Sequence, residues 1–353
     1  MPTSLVKECS DVIAPVLMTI VNSSFTFGVF PHSCKSAVVR PLIKKPDLDA
    51  NVLKNFRPVS NCSFLDKFLE KAAFIQLNAY FAGNDLYGKY QSAYREGHSC
   101  ETALLRVHND VMLALDEQRD VILVLLDLSA AFDTIDHDTL LGRLKSRLGI
   151  DGAVYSWLES FLRGRTQRIS IGSMLSKEVT LEHGVPQGAV LGPLFFVLYT
   201  TPLEDIITRH GLNSVIFADD TQLYVVRDSR TDYSVKTSIE ACLDEIRCWI
   251  RDNMLALNDG KTEVVWFSAK QKKVSDRAAG TDVRVGDEVI ESSPVVRDLG
   301  VKVDASASMM AQVSHVCSTA SHALWRISRI RNLLDQKIIE KLIRGFVTSR
   351  LDY

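Results

Sequence analysis

The chain has 353 residues, 46% of them hydrophobic and 24% charged, and a formal net charge of −2. This ordinary globular composition excludes a low-complexity or collagen-like chain and is ample for a large core and more than one subdomain. The near balance of charge excludes binding nucleic acid by bulk basicity, so any such surface must be local.

Taken in chain order, residues 5–22 read as a helix. The apolar stretch 12–21 is broken by Pro15 and lacks a basic leader. It is too short for a membrane span and poor as a signal peptide, so the expectation is a packed helix and no membrane partner. Residues 38–43 read as a strand, followed by Lys44-Lys45-Pro46. Residues 65–80 form an amphipathic helix, with Leu65, Phe68, Leu69, Ala72, Ala73, Ile75 and Leu77 on or near one face. Residues 102–115 form another. Residues 121–126 are a continuous apolar run with β-branched members, the pattern of a central strand covered on both faces, and it ends in Asp127.

Helices follow at 138–148, stopped by Gly149, and at 153–162. Asp133, Asp136 and Asp138 read as helix-entry capping acids. Strands at 168–172 and 178–181 flank a turn, Gly184 to Gly188 is a loop, and Pro193 opens an apolar helix. Residues 215–218 and 223–226 read as two strands of a hairpin, with Asp219 and Asp220 at its tip. A long helix at 235–251, a strand at 261–267 and a polar loop at 268–282 come next. Short strands at 283–303 and a basic helical pattern from 315 onward complete the chain. Helices and strands mix without a steady β-α-β rhythm, so the fold class is α+β. The seven cysteines form no C-x-x-C pair and no zinc spacing, an odd set that fits a reduced intracellular protein.

The chemistry sits in the carboxylates. Two like charges about 4 Å apart cost roughly 4 kcal/mol at an effective dielectric near 20. A divalent cation reverses that sign. A purely structural turn is made more cheaply by Asn-Gly or Asp-Gly, although two solvated acids in a polar turn are the plain alternative. A strand-end carboxylate such as Asp127 must be paired or must hold a metal. If the two strands are neighbours, three carboxylates meet at one sheet edge, a donor set that suits Mg²⁺ and two-metal phosphoryl transfer.

The chain resembles the reverse transcriptase domain of non-LTR retrotransposons of the LINE and jockey type. The residues that carry the resemblance begin with Val38-Val39-Arg40-Pro41-Leu42-Ile43-Lys44-Lys45 and Asn55-Phe56-Arg57-Pro58-Val59-Ser60. Gln91 to Arg95 and Leu126-Asp127-Leu128-Ser129-Ala130-Ala131-Phe132-Asp133 follow. Gly184-Val185-Pro186-Gln187-Gly188 and Phe217-Ala218-Asp219-Asp220 complete the set, in the family's order over about 180 residues.

The resemblance implies a right-hand polymerase. Residues 1–34 would be an N-terminal helical extension and 35–300 interleaved fingers and palm, with a palm core at about 119–136 and 180–270. Residues 301–353 would be a truncated thumb, in a fragment of a larger element protein. The implied reaction is RNA-directed DNA synthesis from deoxynucleoside triphosphates on an RNA template and a DNA primer, inside an element ribonucleoprotein. Two Mg²⁺ ions, or Mn²⁺ in their place, would sit on Asp127 and Asp219 with Asp220 in support. The implied setting is intracellular, in cytoplasm or nucleus.

By the same resemblance, the Leu128 carbonyl adds an oxygen at the ions. Phe132 is the gate that rejects a 2′-hydroxyl, or else a core ring. Gln187 and Gly188 line the nucleotide, and Arg57 and Lys44 grip the triphosphate, with Lys45 able to exchange with Lys44. Lys261 protonates the leaving pyrophosphate, or is a surface lysine. Leu299-Gly300 braces the primer, or is a plain turn. Arg95 and the group Arg163, Arg165 and Arg168 are candidate template and primer contacts. So is the late set Arg326, Arg329, Arg331, Lys337, Lys341 and Arg344; both groups compete with solvated basic faces. The competing functions are a group II intron-like cellular reverse transcriptase, an RNA-templated RNA polymerase disfavoured by Phe132, and an inactive or co-opted RNA-binding relic.

Overall fold

The computed structural model describes residues 3–129, 132–227, 233–268 and 282–352. Ala130 and Ala131 of the Asp127 motif, and residues 269–281 of the expected polar loop, lie outside the described residues. In chain order the elements are α1 (Thr3–Glu8), α2 (Ser10–Phe27), β1 (Ser36–Ile43), β2 (Phe56–Asn61), α3 (Phe64–Gly83) and α4 (Cys100–Asp116). Then come β3 (Asp120–Ser129), α5 (His137–Ser146), α6 (Gly152–Leu162), β4 (Arg165–Ile171), β5 (Met174–Leu175) and β6 (Val179–Leu181). The middle of the chain adds α7 (Gly192–Thr200), α8 (Pro202–Arg209), β7 (Asn213–Phe217), β8 (Asp220–Arg227), α9 (Tyr233–Asp252) and β9 (Ala256–Leu257). The last elements are β10 (Glu263–Phe267), β11 (Val283–Val285), β12 (Glu288–Ile290), β13 (Val295–Asp298), β14 (Val301–Asp304), α10 (Met310–Ile330), α11 (Gln336–Ile343) and α12 (Ser349–Leu351). The mixture is α+β, as expected.

The chain forms two compact units. The first comprises residues 1–94, 128–205 and 248–256; the second comprises 95–127, 206–247 and 257–353. In the first unit, β1 pairs antiparallel with β2 (Val39 opposite Ser60) and parallel with β4 (Val38 opposite Arg168). Strands β5 and β6 both add antiparallel to β4. Helix α7 is apolar all round, and Leu194 to Thr200 are all buried, as a helix with no polar face must be.

The start of α5 has a local cause. Helix α5 begins at His137 because the Asp136 carboxylate accepts the Thr139 amide at 2.7 Å, and Asp138 lies in the first turn. Asp133, expected as a third capping acid, instead accepts Gln187 Nε2 at 2.9 Å.

Helix α2 corrects the expectation of a packed helix. Only Ser24 along it is buried, and Val12, Val16, Met18 and Phe27 are more than half exposed. Its C-terminal end is what docks: Trp157 Nε1 donates to Ser24 Oγ at 2.8 Å, and Phe25 meets the Trp157 ring edge-on. The helix runs 18 residues with mean hydropathy 1.2, so by length and composition alone it is a candidate membrane span. Pro15 lies inside it without ending it.

In the second unit a four-stranded antiparallel path runs β10-β3-β8-β7. Strand β3 is central, and Val121 to Val124 are at most 1% exposed, which is why its sequence is apolar without alternation. One face, carrying Val121, Leu123, Leu125, Val215, Tyr224, Val265 and Phe267, packs with Ala103, Val107, Val111 and Ala114 of α4. Val296, Leu299 and Val303 of the β13–β14 hairpin join the same core. The reciprocal Ser99–Thr102 capping box starts α4 at Cys100 and fixes its approach. At the C-terminal end a small core of Ala320, Ile327 and Val347 joins α10 to α11 through Ile339, Leu342 and Ile343.

Candidate active site

The carboxylate edge follows from one turn. Phe217 and Asp220 are register partners, so Ala218 and Asp219 form a two-residue hairpin loop. Ala218 has φ +59. A positive φ at the first central position is the type II′ requirement, usually met by glycine. A residue with a Cβ in that region stores on the order of 1 kcal/mol of strain, the kind of cost that collects at functional sites. This turn sets the register of β8 on β7; on its other edge β8 pairs with β3, where Asp127 stands directly opposite Asp220. Partners so placed have Cα atoms about 4.5–5.5 Å apart. The expected meeting of strand-end and hairpin carboxylates is therefore present within the second unit.

The electrostatics show a site short of positive charge. Burial first, then the charges of Asp219 and Asp127, push Asp220 up to about 6, while Lys261 opposes the rise. Lys261 Nζ donates to Asp127 Oδ2 at 2.8 Å and Asn258 Nδ2 to the same oxygen at 3.1 Å. The Asn258 amide also donates to the Asp127 carbonyl at 2.9 Å, which anchors the loop carrying Lys261 to the end of β3. Hard carboxylate oxygens that repel one another fit a hard divalent cation such as Mg²⁺.

A cavity of about 570 Å³ opens on this edge. Its lining includes Asp127, Asp220, Gln222, Lys261, Arg297 and Asp298, with Leu299 and Gly300. Leu299 (φ +43) and Gly300 (φ +94) are the two-residue turn between β13 and β14, with Asp298 opposite Val301. Sequence reasoning missed Asp298, a fourth carboxyl here. It is buried and receives Gln222 Nε2 at 2.6 Å; burial and the nearby Asp220 push it up to about 7. It also missed Asn258, although the run Leu257-Asn258-Asp259-Gly260-Lys261 held the signal, an amide at a fixed step from the lysine.

The first unit gathers a second group of the expected residues. The Gly184–Gly188 loop is held on several sides. The Val185 amide donates to the Phe132 carbonyl at 2.8 Å, and the Ser60 amide donates to the Gln187 carbonyl at 2.7 Å. His137 Nε2, buried, bonds the Gly184 carbonyl at 2.8 Å, and burial lowers the imidazole's pKa, so the bond is made by a neutral ring donating from Nε2. Gly184 (φ +79) cannot carry a side chain, because a Cβ would lie 2.6 Å from the Asp133 carbonyl oxygen; at Gly188 (φ +114) it would lie 2.9 Å from that of Ser60.

Gln187 is half-buried, and its bond to Asp133 fixes the amide. Phe132 is half-buried with its ring 5.4 Å from that of Phe196, so it packs on the core without being enclosed by it. Arg57 is exposed on β2 opposite Leu42, and Lys44 Nζ donates to the Lys54 carbonyl at 2.8 Å. Leu128 is buried.

The basic candidates divide. Arg165, expected to contact template or primer, is 1% exposed, paired with Asp66 at 3.3 Å and stacked against the Phe30 and Phe161 rings. It begins β4 pointing inward and is a structural cation, which corrects that expectation. Cys62, Asp66 and Glu70 bring ligand atoms within 4.8 Å of one another beside it, and its guanidinium already supplies the positive charge there. Arg163 is bound by Asp138 and Glu159, and Arg168 by Glu178 at 2.8 Å. Arg95 is half-buried, and Arg326, Arg329, Arg331, Lys337, Lys341 and Arg344 are all exposed.

Residues 43–303 match the family described as reverse transcriptase (RNA-dependent DNA polymerase). A probable RNA-directed DNA polymerase from transposon X-element of Drosophila melanogaster is 24% identical over 326 residues, 90% of this chain and 35% of the relative. The RNA-directed DNA polymerase from mobile element jockey is 25% identical in Drosophila melanogaster, over 88% of this chain and 33% of the relative. The Drosophila funebris protein of that name is 26% identical, over 90% and 34%. The chain thus spans about a third of the length of the curated relatives it matches. Among solved structures, apo telomerase from Candida tropicalis, truncated from its C-terminal domain, has a similar fold. It shows a TM-score of 0.51 and 12% identity over 79% of this chain and 55% of that one.

Proposed function

Because the chain belongs to the reverse transcriptase (RNA-dependent DNA polymerase) family, we propose that it extends a DNA primer with deoxynucleotides on an RNA template, as part of a non-LTR retrotransposon protein. The observation that carries this reading is Asp127 facing Asp220 across the β3–β8 ladder, with Asp219 in the adjoining turn. Two Mg²⁺ ions there would activate the primer 3′-hydroxyl and stabilise the leaving pyrophosphate. Asp127 and Asp219 would hold them, with Asp220 and the Leu128 carbonyl in support. Residues 119–136 and 180–270 are read as palm core, the rest of 35–300 as fingers, and 301–353 as thumb.

The other roles follow from what each side chain offers. Arg57 presents a planar fork suited to bidentate phosphate binding, and Lys44 a point charge. Gln187, oriented by Asp133, and Gly188 would lie against the incoming nucleotide. Lys261, held on Asp127, would give its proton to the pyrophosphate. Leu299 and Gly300 would brace the primer end. Arg163 and Arg168 would have to leave their acidic partners to bind phosphate, so the exposed cations of α10 and α11 are the better template and primer contacts. Their binding should weaken steeply with salt.

The test is primer extension on an RNA template with Mg²⁺ and deoxynucleotides, with Asp219→Asn as control. Extension by the wild type and not by the variant is the expected result; binding of the duplex without extension would leave only a nucleic-acid-binding role. A second measurement addresses the sugar gate. Phe132→Val is expected to raise ribonucleotide incorporation relative to deoxynucleotide by about tenfold or more, since removing a steric clash changes selectivity by roughly 1–3 kcal/mol. Unchanged sugar selectivity would make Phe132 a packing residue alone.

A further inference from the structure

Strand β8 turns Asp220, Gln222 and Tyr224 to one face, since alternate residues share a side. The last two each bond a carboxylate from another element. Tyr224 donates to Asp110 on α4, and Gln222 Nε2 donates to Asp298 Oδ1 at 2.6 Å. Gln222 and Asp298 are 1% and 4% exposed, so this bond is made out of water. The Gln222 Oε1 atom is buried without a partner among the described residues, so the amide is oriented by Asp298. The hairpin that holds Asp298 also supplies Val296 to the apolar core. Packing alone would be served by another apolar residue at 298, and a buried polar link is most informative where it fixes one arrangement over others.

The link also has a direction. Asp298 is the final residue of β13, and the two positive-φ residues after it, Leu299 and Gly300, make the turn. Both ends of the link border the cavity that holds Asp127 and Asp220. A displacement of Asp298 is therefore passed directly to the turn, and a displacement of Gln222 to the strand two residues from Asp220.

We propose that Asp298 is a positioning residue for the primer terminus: through Gln222 it locks the Leu299–Gly300 turn to the strand that carries Asp220. This rests on the polymerase reading above. A misplacement of about 1 Å between reacting atoms can cost on the order of 10²-fold in rate.

The experiment uses the full 353-residue chain with Asp298→Ala, Asp298→Asn and Gln222→Leu. Single-turnover addition to a recessed DNA primer on an RNA template is expected to slow by roughly 10- to 100-fold in Asp298→Ala and Gln222→Leu. The half-saturating nucleotide and Mg²⁺ concentrations should not move. Asp298→Asn keeps an acceptor for Gln222 and should recover most of the rate. A primer with 2-aminopurine at its 3′ end, bound in Ca²⁺, reports terminus placement without turnover. Its fluorescence should change in Asp298→Ala while duplex affinity holds.

Wild-type behaviour of Asp298→Ala in both assays overturns the proposal. So does a shifted Mg²⁺ requirement, which would make Asp298 a metal ligand. So does Asp298→Asn no better than Asp298→Ala together with an equal loss of thermal stability, which would make the role one of folding. A wild-type chain that binds the primer but does not extend it defeats the polymerase reading, and the fluorescence difference then decides the positioning claim by itself. A chain that neither extends nor binds overturns both.

Discussion

Asp220→Asn is expected to stabilise the metal-free chain by as much as about 3 kcal/mol and to cost on the order of 10²-fold or more in primer extension. Both effects have one source. Asp220 lies opposite Asp127 with Asp219 beside it, and burial and those two charges lift it from an ordinary carboxylate to about 6. An acid whose pKa is raised on folding holds its proton in the folded chain while the unfolded chain has released it. Stability is therefore full below about pH 4, falls as pH rises toward 6, and is flat above that. An uncharged asparagine removes this slope. It also removes a ligand charge from a site whose chemistry is charge stabilisation. Urea unfolding at pH 4.5 and pH 7, with and without Mg²⁺, checks the first effect. The wild type should gain stability from Mg²⁺ at pH 7 and the variant should gain less. An Asp220→Asn chain no more stable than wild type at pH 7 without metal would mean that the carboxylates do not strain one another.

What could be read from the letters depended on how local the cause was. The Asp127 strand was legible because a central strand buried on both faces must be continuously apolar, and β3 is. The Asp219–Asp220 hairpin was legible because two short β-rich runs flank it. The register that places Asp127 opposite Asp220 is a pairing of strands distant in sequence, and the turn beside it holds Ala218 at φ +59, a conformation no residue type announces as glycine does. Asp298 was illegible because its partner Gln222 is 76 positions away, and only the β13–β14 hairpin brings it to the site.

Two expectations failed for opposite reasons. Helix α2 has an apolar sequence but buries only its C-terminal end, so composition overstated its packing. Arg165 sits between two surface arginines and read as one of a basic trio. The contrary signal was in α3, where Asp66 and Glu70 fall one turn apart on the face that buries Leu69 and Ala73. Acids on the apolar side of a helix require a buried cation or a bound proton, and here there are both.

The second large effect lies at that cluster. Arg165→Met is expected to lower stability by about 3–5 kcal/mol, because removing one partner of a buried ion pair strands the other. Asp66, 3.3 Å from the guanidinium, would be left beside Glu70 with no counter-charge, and the Phe30 and Phe161 rings would lose the cation between them. Glu70 has a different role. Burial above all pushes it up to about 8, against the Leu191 amide that donates to it at 2.9 Å. The Arg165 guanidinium pairs with Asp66 at 3.3 Å and favours the charge there, so the proton resides on Glu70. By the same rule of signs, its contribution is fully present below about pH 4.5 and lost as pH rises to about 8, at up to about 1.4 kcal/mol per pH unit. Glu70→Gln keeps an acceptor for Leu191 and a donor for Asp66 without a titrating proton. Its unfolding free energy should lose the part of the fall that Glu70 contributes, keeping only that of Asp220 and Asp298 and levelling off above about pH 7, and should cross above the still-falling wild-type curve toward the alkaline end. Parallel curves for wild type and Glu70→Gln would show that Glu70 is ionised in the folded chain, and a loss under about 1 kcal/mol in Arg165→Met would show that water, not the guanidinium, solvates Asp66.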